Sequence, residues 1–143
     1  MTGKWKTMTS SKSVEWTTPK DIFTKLNTEF GFTLDPCCTK ESALCHKFYT
    51  KETDGLKHTW ANERVFMNPP YSRKIIEWIM KAYYESKKGA LVVCLIPART
   101  DTRYWHEYCM KGEIRFLRGR LKFGGCKNPA PFASAVVIFR GIK

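Results

Sequence analysis

The residues from Ala90 to Ile96 form an unbroken apolar run, which limits the available folds more than any other segment. A strand with one face in water alternates apolar and polar side chains, whereas a run without alternation needs cover on both faces. Gly89 and Pro97 bound the run, so its length suits a strand and is too short for a helix. The sequence therefore predicts a central parallel strand in an α/β sheet.

Helical patterns lie on both sides of this run. Thr18 as N-cap and Pro19 at the first helical position predict a helix that ends at Gly31. Apolar residues at helical spacing predict an amphipathic helix over residues 73–87. A short third helix is predicted to follow a cap at residues 100–101.

Further extended segments are predicted at residues 32–34, 65–67, 114–117, 120–123 and 133–139. Strands and helices alternate in the first part of the chain, and strands follow one another in the last part. This order predicts an α/β sheet with a partly antiparallel edge.

The chain has 143 residues and a formal net charge of +12. This length suits one domain, and we expect a loosely held arm at residues 1–15 before a single domain at 16–143. The positive surplus attracts polyanions, so nucleic acid is the first partner to consider and an anionic membrane the second. No apolar run is long enough to span a bilayer and no apolar leader is present, so a cytoplasmic protein is expected.

Six cysteines are present, and without a secretion signal we expect them to be reduced. Two groups contain cysteine and histidine, namely Cys37-Cys38 with Cys45-His46, and His106 with Cys109. Neither matches the paired, short-spaced ligands of structural zinc sites, so no metal is predicted.

An Asn-Pro-Pro-Tyr loop at residues 68–71 separates the predicted strand 65–67 from the amphipathic helix. Ligands of open α/β sheets bind beyond the carboxyl ends of strands, and two prolines remove two backbone donors from this loop. The carbonyl groups of Asn68 and Pro69 can accept from one exocyclic amino group, and the Tyr71 ring offers a stacking face for a base. The loop therefore suits methylation of a conjugated amine by a sulfonium donor, unless Pro69-Pro70 only ends the strand and Tyr71 only packs.

Several motifs occur in one order along the chain: Trp16-Thr-Thr-Pro19, Leu34-Asp-Pro36, Asp54-Gly-Leu56, Trp60, Phe66-Met-Asn-Pro-Pro-Tyr-Ser72, Leu95-Ile-Pro-Ala-Arg-Thr-Asp101, Trp105 and Gly119-Arg-Leu-Lys-Phe123. With this set the chain resembles the bacteriophage-type DNA N6-adenine methyltransferases, the phage Dam family. The resemblance implies a minimal, Rossmann-like fold with a mixed sheet and flanking helices. It also implies S-adenosylmethionine (SAM) as methyl donor, an adenine flipped out of double-stranded DNA as acceptor, and work inside a bacterial host cell.

The resemblance also implies roles for individual residues. The catalytic loop would be Asn68, Pro69, Pro70 and Tyr71. The cofactor contacts would be Trp16, Thr18, Pro19, Asp35, Pro36, Asp54, Leu56 and Asn68. Turn chemistry alone also explains two of these acids, Asp35 as part of an Asp-Pro turn and Asp54 as a solvated loop residue.

The chain departs from the wider SAM-methyltransferase pattern after its first predicted strand. The turn from Asp35 to Glu41 contains no glycine, so its backbone cannot approach a ligand as closely as a glycine-rich turn does. The short separation of Asp35 from Asp54 predicts a shortened first crossover. The acidic residue that usually holds the ribose has no clear match.

Seven of the twelve net positive charges lie after residue 110. Such a localised surplus is either a solvated face or a phosphate-binding surface, and the resemblance favours contact with DNA. The predicted DNA contacts are Ser72, Arg99, Arg103, Arg118, Arg120, Lys122 and Lys127.

Two rival functions stay open at this stage. One is a nucleic-acid-binding domain that keeps the fold without catalysis. The other is an amino-methyltransferase that acts on cytosine N4, RNA or a glutamine side chain, because the loop serves any planar conjugated nitrogen. We expect no separate target-recognition domain in so short a chain, so that specificity comes from loops or from pairing of two subunits in a homodimer.

Overall fold

The structure is a computed structural model that describes residues 17–124 and 126–141. Its centre is a six-stranded sheet in the order β2-β1-β3-β4-β6-β5. The strands are β1 (Leu34–Asp35), β2 (Lys47–Phe48), β3 (Arg64–Met67), β4 (Leu91–Pro97), β5 (Glu113–Phe116) and β6 (Ser134–Phe139). Strands β1 to β4 are parallel, and β6 is antiparallel to both neighbours. The predicted mixed sheet is confirmed.

Strand β4 is the buried centre of this sheet, as the apolar run predicts. It pairs with β3 on one side and β6 on the other, and every residue from Val92 to Pro97 is buried. Val92, Cys94 and Ile96 face one hydrophobic core, while Val93 and Leu95 face another. Each face therefore needs its own cover.

Helices supply this cover. Helix α2 (Ile75–Ser86) buries Ile75, Trp78 and Ile79 in the first core. Helix α1 (Lys20–Phe30) buries Leu26 and Phe30 in the second. A short helix α3 (Arg103–Glu107) follows β4. No helix in the described part of the chain is long and apolar enough to cross a bilayer.

The helix starts differ from their predicted caps. Pro19 occupies the N-cap position of α1 without a side-chain hydrogen bond, so the prediction for Thr18 is wrong. The hydroxyl group of Thr18 instead accepts from Asn68. Thr102, and neither Thr100 nor Asp101, precedes α3. The end of α1 is as predicted, since Gly31 has a φ of 65° and donates to the Asn27 carbonyl group.

The predicted strand at residues 120–123 is wrong. Among these residues Phe123 is buried in the second core, with Leu121 packed against that core, but none of them joins the sheet. Gly124 alone forms an isolated bridge, to Thr17. The two apolar side chains pack on the core from an irregular segment. Their alternation therefore reflects burial and does not mark a strand. The predicted arm at residues 1–15 lies outside the described residues.

The parallel strands bring their carboxyl ends to one edge of the sheet, here called the carboxyl edge. Asp35 ends β1, Asn68 follows β3, and Arg99 lies just after β4. Residues 117–133, which join β5 to β6, return at the same edge because Phe116 pairs with Ala135 near the start of β6. The links from β1 to β2 and from β2 to β3 contain no α-helix, only a 3-10 turn at Gly55–Lys57.

A buried acid ties α2 to the second of these links. The carboxylate of Glu85 accepts from the Trp60 amide at 2.6 Å and from the Thr59 hydroxyl at 3.3 Å. It also pairs with Lys81 at 3.2 Å and Lys88 at 3.4 Å. Burial raises the pKa of Glu85, but the Trp60 amide and the two lysines outweigh it, so the pKa lies below its ordinary value.

We predict that Glu85→Gln lowers the free energy of unfolding at pH 7 by about 2 kcal/mol, because the amide loses both ion pairs while it keeps an acceptor for Trp60. The wild-type advantage is complete above the ordinary glutamate pKa of 4.5 and is lost as pH falls through the lower pKa of the folded state. Urea denaturation at several pH values measures both effects.

Glu77→Gln is the matched control, because Glu77 is an exposed acid on the same helix. It is expected to change the free energy of unfolding by less than about 0.5 kcal/mol. An equal loss in the two variants, or a Glu85 effect that does not shrink in acid, would contradict the role assigned to Glu85.

Candidate active site

A cavity of about 610 Å³ opens at the carboxyl edge. Most of the predicted cofactor and catalytic residues line it, namely Thr18, Asp35, Pro36, Asp54, Leu56, Asn68, Pro69 and Pro70. Pro19 and Tyr71 are not among the lining residues, and Trp16 lies outside the described part of the chain. Side chains that come from separate strands and loops thus meet in one concavity.

The sequence reasoning missed part of the wall. Residues 37–39, Ser42 and Leu44 line the cavity, as do Lys74 and Trp78 at the start of α2. Residues 37–44 carry no periodic pattern, so only their position after β1 could have indicated them. Trp78 belongs to the apolar spacing that predicts the helix over residues 73–87, and it is also buried in the first core.

The side chain of Asn68 is hydrogen-bonded at both ends of its amide. Its Nδ2 donates to Thr18 Oγ1 at 2.9 Å. Its Oδ1 accepts from the Tyr71 hydroxyl at 2.8 Å. The amide plane is therefore fixed in the cavity wall before any ligand binds.

Tyr71 lies behind this amide, half-buried. Its hydroxyl is also 3.2 Å from the Leu95 carbonyl oxygen, and its ring packs edge-on with Phe123 and Phe132. Burial raises the pKa of the Tyr71 hydroxyl well above its ordinary value, so the group is a neutral donor. These contacts make Tyr71 a support for Asn68. Stacking of its ring on a base stays a prediction.

Asp35 is buried, and its carboxylate is hydrogen-bonded within the loop that follows β1. Its carboxylate accepts from the Leu44 amide at 3.1 Å, which closes residues 36–44 into a turn. Burial raises the pKa of this carboxyl group despite that hydrogen bond. A role as a turn residue is thus visible in the structure, and contact with a cofactor stays a prediction.

Asp54 and Leu56 reach the cavity because Gly55 packs directly on Pro36. A Cβ atom added at Gly55 would lie 2.1 Å from the Pro36 carbonyl oxygen. Asp54 has a φ of 55°, and its carboxylate accepts from the Leu56 amide at 3.1 Å. The absence of a Cβ atom at Gly55 therefore lets this segment lie directly against the turn that follows β1.

The cysteines near the cavity are thiols. Burial raises the pKa of Cys37 and Cys38 far above the ordinary value, and that of Cys45 to about 11. None of the cysteines is in a disulfide. The described residues contain no group of three or more His, Cys, Asp or Glu side chains that could hold a metal ion.

The segment at residues 117–133, here called the basic loop, carries four predicted DNA contacts: Arg118, Arg120, Lys122 and Lys127. All four side chains are exposed, and none forms an ion pair in the described part of the chain. By contrast, Arg115 on β5 pairs with Glu29 and Glu113, and Arg140 at the opposite edge of the sheet pairs with Glu113.

The remaining predicted DNA contacts differ from one another. Arg103 pairs with Glu107 along α3, whereas Arg99 stacks over the Phe132 ring at 5.6 Å, beside the basic loop. Ser72 is exposed directly after the catalytic loop. The structure therefore places Ser72 and Arg99 at the carboxyl edge and leaves Arg103 with an acidic neighbour.

Comparison with known proteins gives one consistent result. Residues 5–138 match the family described as DNA N-6-adenine-methyltransferase (Dam). A DNA N-6-adenine-methyltransferase of Escherichia phage T1 is 35% identical over 94 residues, which is 64% of this chain and 39% of the phage protein. A DNA N-6-adenine-methyltransferase of Haemophilus phage HP1 is 29% identical over 114 residues, 78% of this chain and 64% of that protein. The resemblance is confirmed, although the chain spans less than half of the T1 protein.

We predict that Gly55→Ala lowers the free energy of unfolding by about 2 kcal/mol or more, because the methyl group overlaps the Pro36 backbone. Gly31→Ala is the control, since an added Cβ there meets no atom within 4 Å and only the positive φ costs about 1 kcal/mol. Thermal denaturation of both variants checks this. A smaller effect at Gly55 than at Gly31 would contradict the close contact.

Proposed function

The chain belongs to the DNA N-6-adenine-methyltransferase (Dam) family, and from that membership we propose that it transfers a methyl group from SAM to the N6 amino group of adenine in double-stranded DNA. The observation that carries the proposal is the Asn68 amide, held at both ends in the wall of a ligand-sized cavity. Its phage relatives point to the interior of a bacterial host cell as the place of the reaction.

The cavity fits SAM in size and in chemistry. Its volume of about 610 Å³ lies in the range of small-molecule sites. Leu56, Phe66 and Trp78 give apolar surface for an adenine ring, and Asp35 and Asp54 give acceptors for an ammonium group and hydroxyl groups. SAM supplies an electrophilic methyl group on a sulfonium centre.

Asn68 and Pro69 are proposed to bind the target amino group. Each offers a carbonyl oxygen, and neither can donate through that atom. Two acceptors draw the N6 protons away from the methyl donor, which directs the nitrogen lone pair toward it. The new N–C bond forms as the S–C bond breaks. The displaced N6 proton goes to water, because a neutral amide does not take it.

The basic loop is proposed to hold the DNA backbone. It contains no acidic residue, and it lies at the same edge as Asn68. Phosphate contacts of this kind position the duplex and carry no sequence information by themselves. Specificity then depends on other loops at the carboxyl edge or on a second copy of the chain.

We predict that Asn68→Ala lowers kcat/KM for methyl transfer by at least about 100-fold, because one acceptor for the reacting amino group is lost. Binding of SAM is expected to persist, since several other residues line the cavity. Transfer of a labelled methyl group to duplex DNA, followed by nucleoside analysis, measures the rate and the product. Asn68→Asp keeps an acceptor oxygen and should retain more activity than Asn68→Ala.

The product analysis also separates the rival functions. Labelled N6-methyladenine supports the proposal. Label in N4-methylcytosine, RNA or protein would show that the acceptor is a different group and would contradict it. A thermal shift with SAM detects cofactor binding without turnover. No methyl transfer and no shift at millimolar SAM would favour a nucleic-acid-binding domain and sink the proposal.

We predict that Arg118→Gln with Arg120→Gln weakens binding to every duplex and lowers the slope of log K against log salt by about 2, since each phosphate contact contributes about 0.9. The control is Lys87→Gln with Lys111→Gln, which removes equal charge at the opposite edge of the sheet. Fluorescence anisotropy at several salt concentrations measures both. Equal slopes in the two double variants would show that only net charge matters.

A further inference from the structure

We propose that Thr18 is a positioning residue for Asn68, whose hydroxyl group sets the orientation of the amide for reaction. The inference rests on the proposed function, because it concerns the same site. Sequence reasoning assigned Thr18 to the start of α1 and, by resemblance, to contact with SAM. In the structure the α1 cap has no side-chain hydrogen bond, and the Thr18 hydroxyl group accepts a hydrogen bond from Asn68 instead.

The contact between Thr18 and Asn68 is sheltered from water. Thr18 is only 8% exposed, and its Oγ1 accepts from Asn68 Nδ2 at 2.9 Å. On the other side Tyr71 donates to Asn68 Oδ1 at 2.8 Å. The terminal torsion of an asparagine side chain is broad when nothing holds it. Removal of the Thr18 hydroxyl therefore takes away one restraint on this torsion.

Rotation of this amide matters for an amino substrate. An amide presents a carbonyl acceptor on one side and an NH₂ donor on the other. A turned amide would place its NH₂ group against the N6 amino group, where donor meets donor. The Thr18 hydroxyl can donate as well as accept, so its contact holds the plane of the amide, and with it the direction in which the acceptor faces the substrate.

The hydroxyl group of Tyr71 explains how the held amide can also accept from a substrate. The group has one proton, and Asn68 Oδ1 and the Leu95 carbonyl oxygen are both within reach, at 2.8 and 3.2 Å. When an amino group donates to Asn68, the proton can turn toward Leu95 and remain hydrogen-bonded. Thr18 then holds Asn68 from the opposite end throughout the reaction.

The backbone beside Thr18 is anchored as well. The Gly124 amide donates to the Thr17 carbonyl group at 2.9 Å, which joins this segment to the basic loop. The Thr18 hydroxyl consequently has a fixed position relative to both the catalytic loop and the basic loop. A flexible residue at this point could not orient Asn68.

The test compares Thr18→Val, which keeps the shape and removes the hydroxyl, with Thr18→Ser, which keeps the hydroxyl. Thr28→Val is the matched control, because Thr28 is an exposed threonine on α1 whose hydroxyl donates to the Thr24 carbonyl group of the same helix. We expect Thr18→Val to lower kcat about tenfold with the SAM dissociation constant within twofold of wild type. Thr18→Ser should restore kcat, and Thr28→Val should match wild type.

A second readout does not depend on turnover. The side-chain NH₂ signals of Asn68 in ¹⁵N NMR, identified by their loss in Asn68→Asp, should be exchange-protected in wild type and Thr18→Ser. They should lose protection in Thr18→Val. If Thr18→Val does not fold, Thr18→Ala gives a hydroxyl-free variant with a smaller side chain.

The outcomes separate this inference from the proposed function. Unchanged kcat and unchanged NH₂ protection in Thr18→Val would overturn the positioning role, and so would weaker SAM binding at constant kcat, which marks a cofactor contact. A wild-type protein that methylates no DNA would overturn the proposed function. In that case the NMR comparison still tests whether the Thr18 hydroxyl group restrains the side-chain amide of Asn68.

Discussion

Removal of both faces of β4 from water is the constraint on which the other elements depend. Its alternate side chains enter two separate cores, so a helix has to cover each side of the sheet. Parallel neighbours must then return through long connections, and every connection that leaves a carboxyl end does so at one edge. The cavity and the catalytic loop lie at that edge as a consequence of burial.

Charge in this protein is divided between structure and surface. Glu85 holds Lys81 within α2, whereas Glu29 and Glu113 hold arginines in exposed pairs that join separate segments. Exposed pairs of this kind contribute little stability individually, but they cancel the local field. The basic loop has no acid of its own, so its charge stays uncompensated beside the cavity. Four of the positive charges, at Arg118, Arg120, Lys122 and Lys127, therefore lie at the edge of the sheet where a polyanion would meet Asn68.

Sequence reasoning succeeded where one local pattern determines the outcome. The run from Ala90 to Ile96, the amphipathic residues of α2 and the placement of Asn68 after a strand all follow from periodicity and turn chemistry. It failed where tertiary contacts decide. Thr18 meets Asn68 across 50 positions of sequence, and Gly55 meets Pro36 through a link with no regular pattern. No local signal distinguishes a threonine that caps a helix from one that holds a distant amide.

The links between β1, β2 and β3 line one part of the cavity. They contain no α-helix, and polar clamps hold them: Asp35 on Leu44, Asp54 on Leu56, and Glu85 on Trp60. Apart from Pro36, Gly55 and Trp60, the residues of these links are partly or fully exposed, and such segments open locally at lower free energy than the core does. A ligand in this cavity would therefore slow amide hydrogen exchange here first, with β4 unaffected.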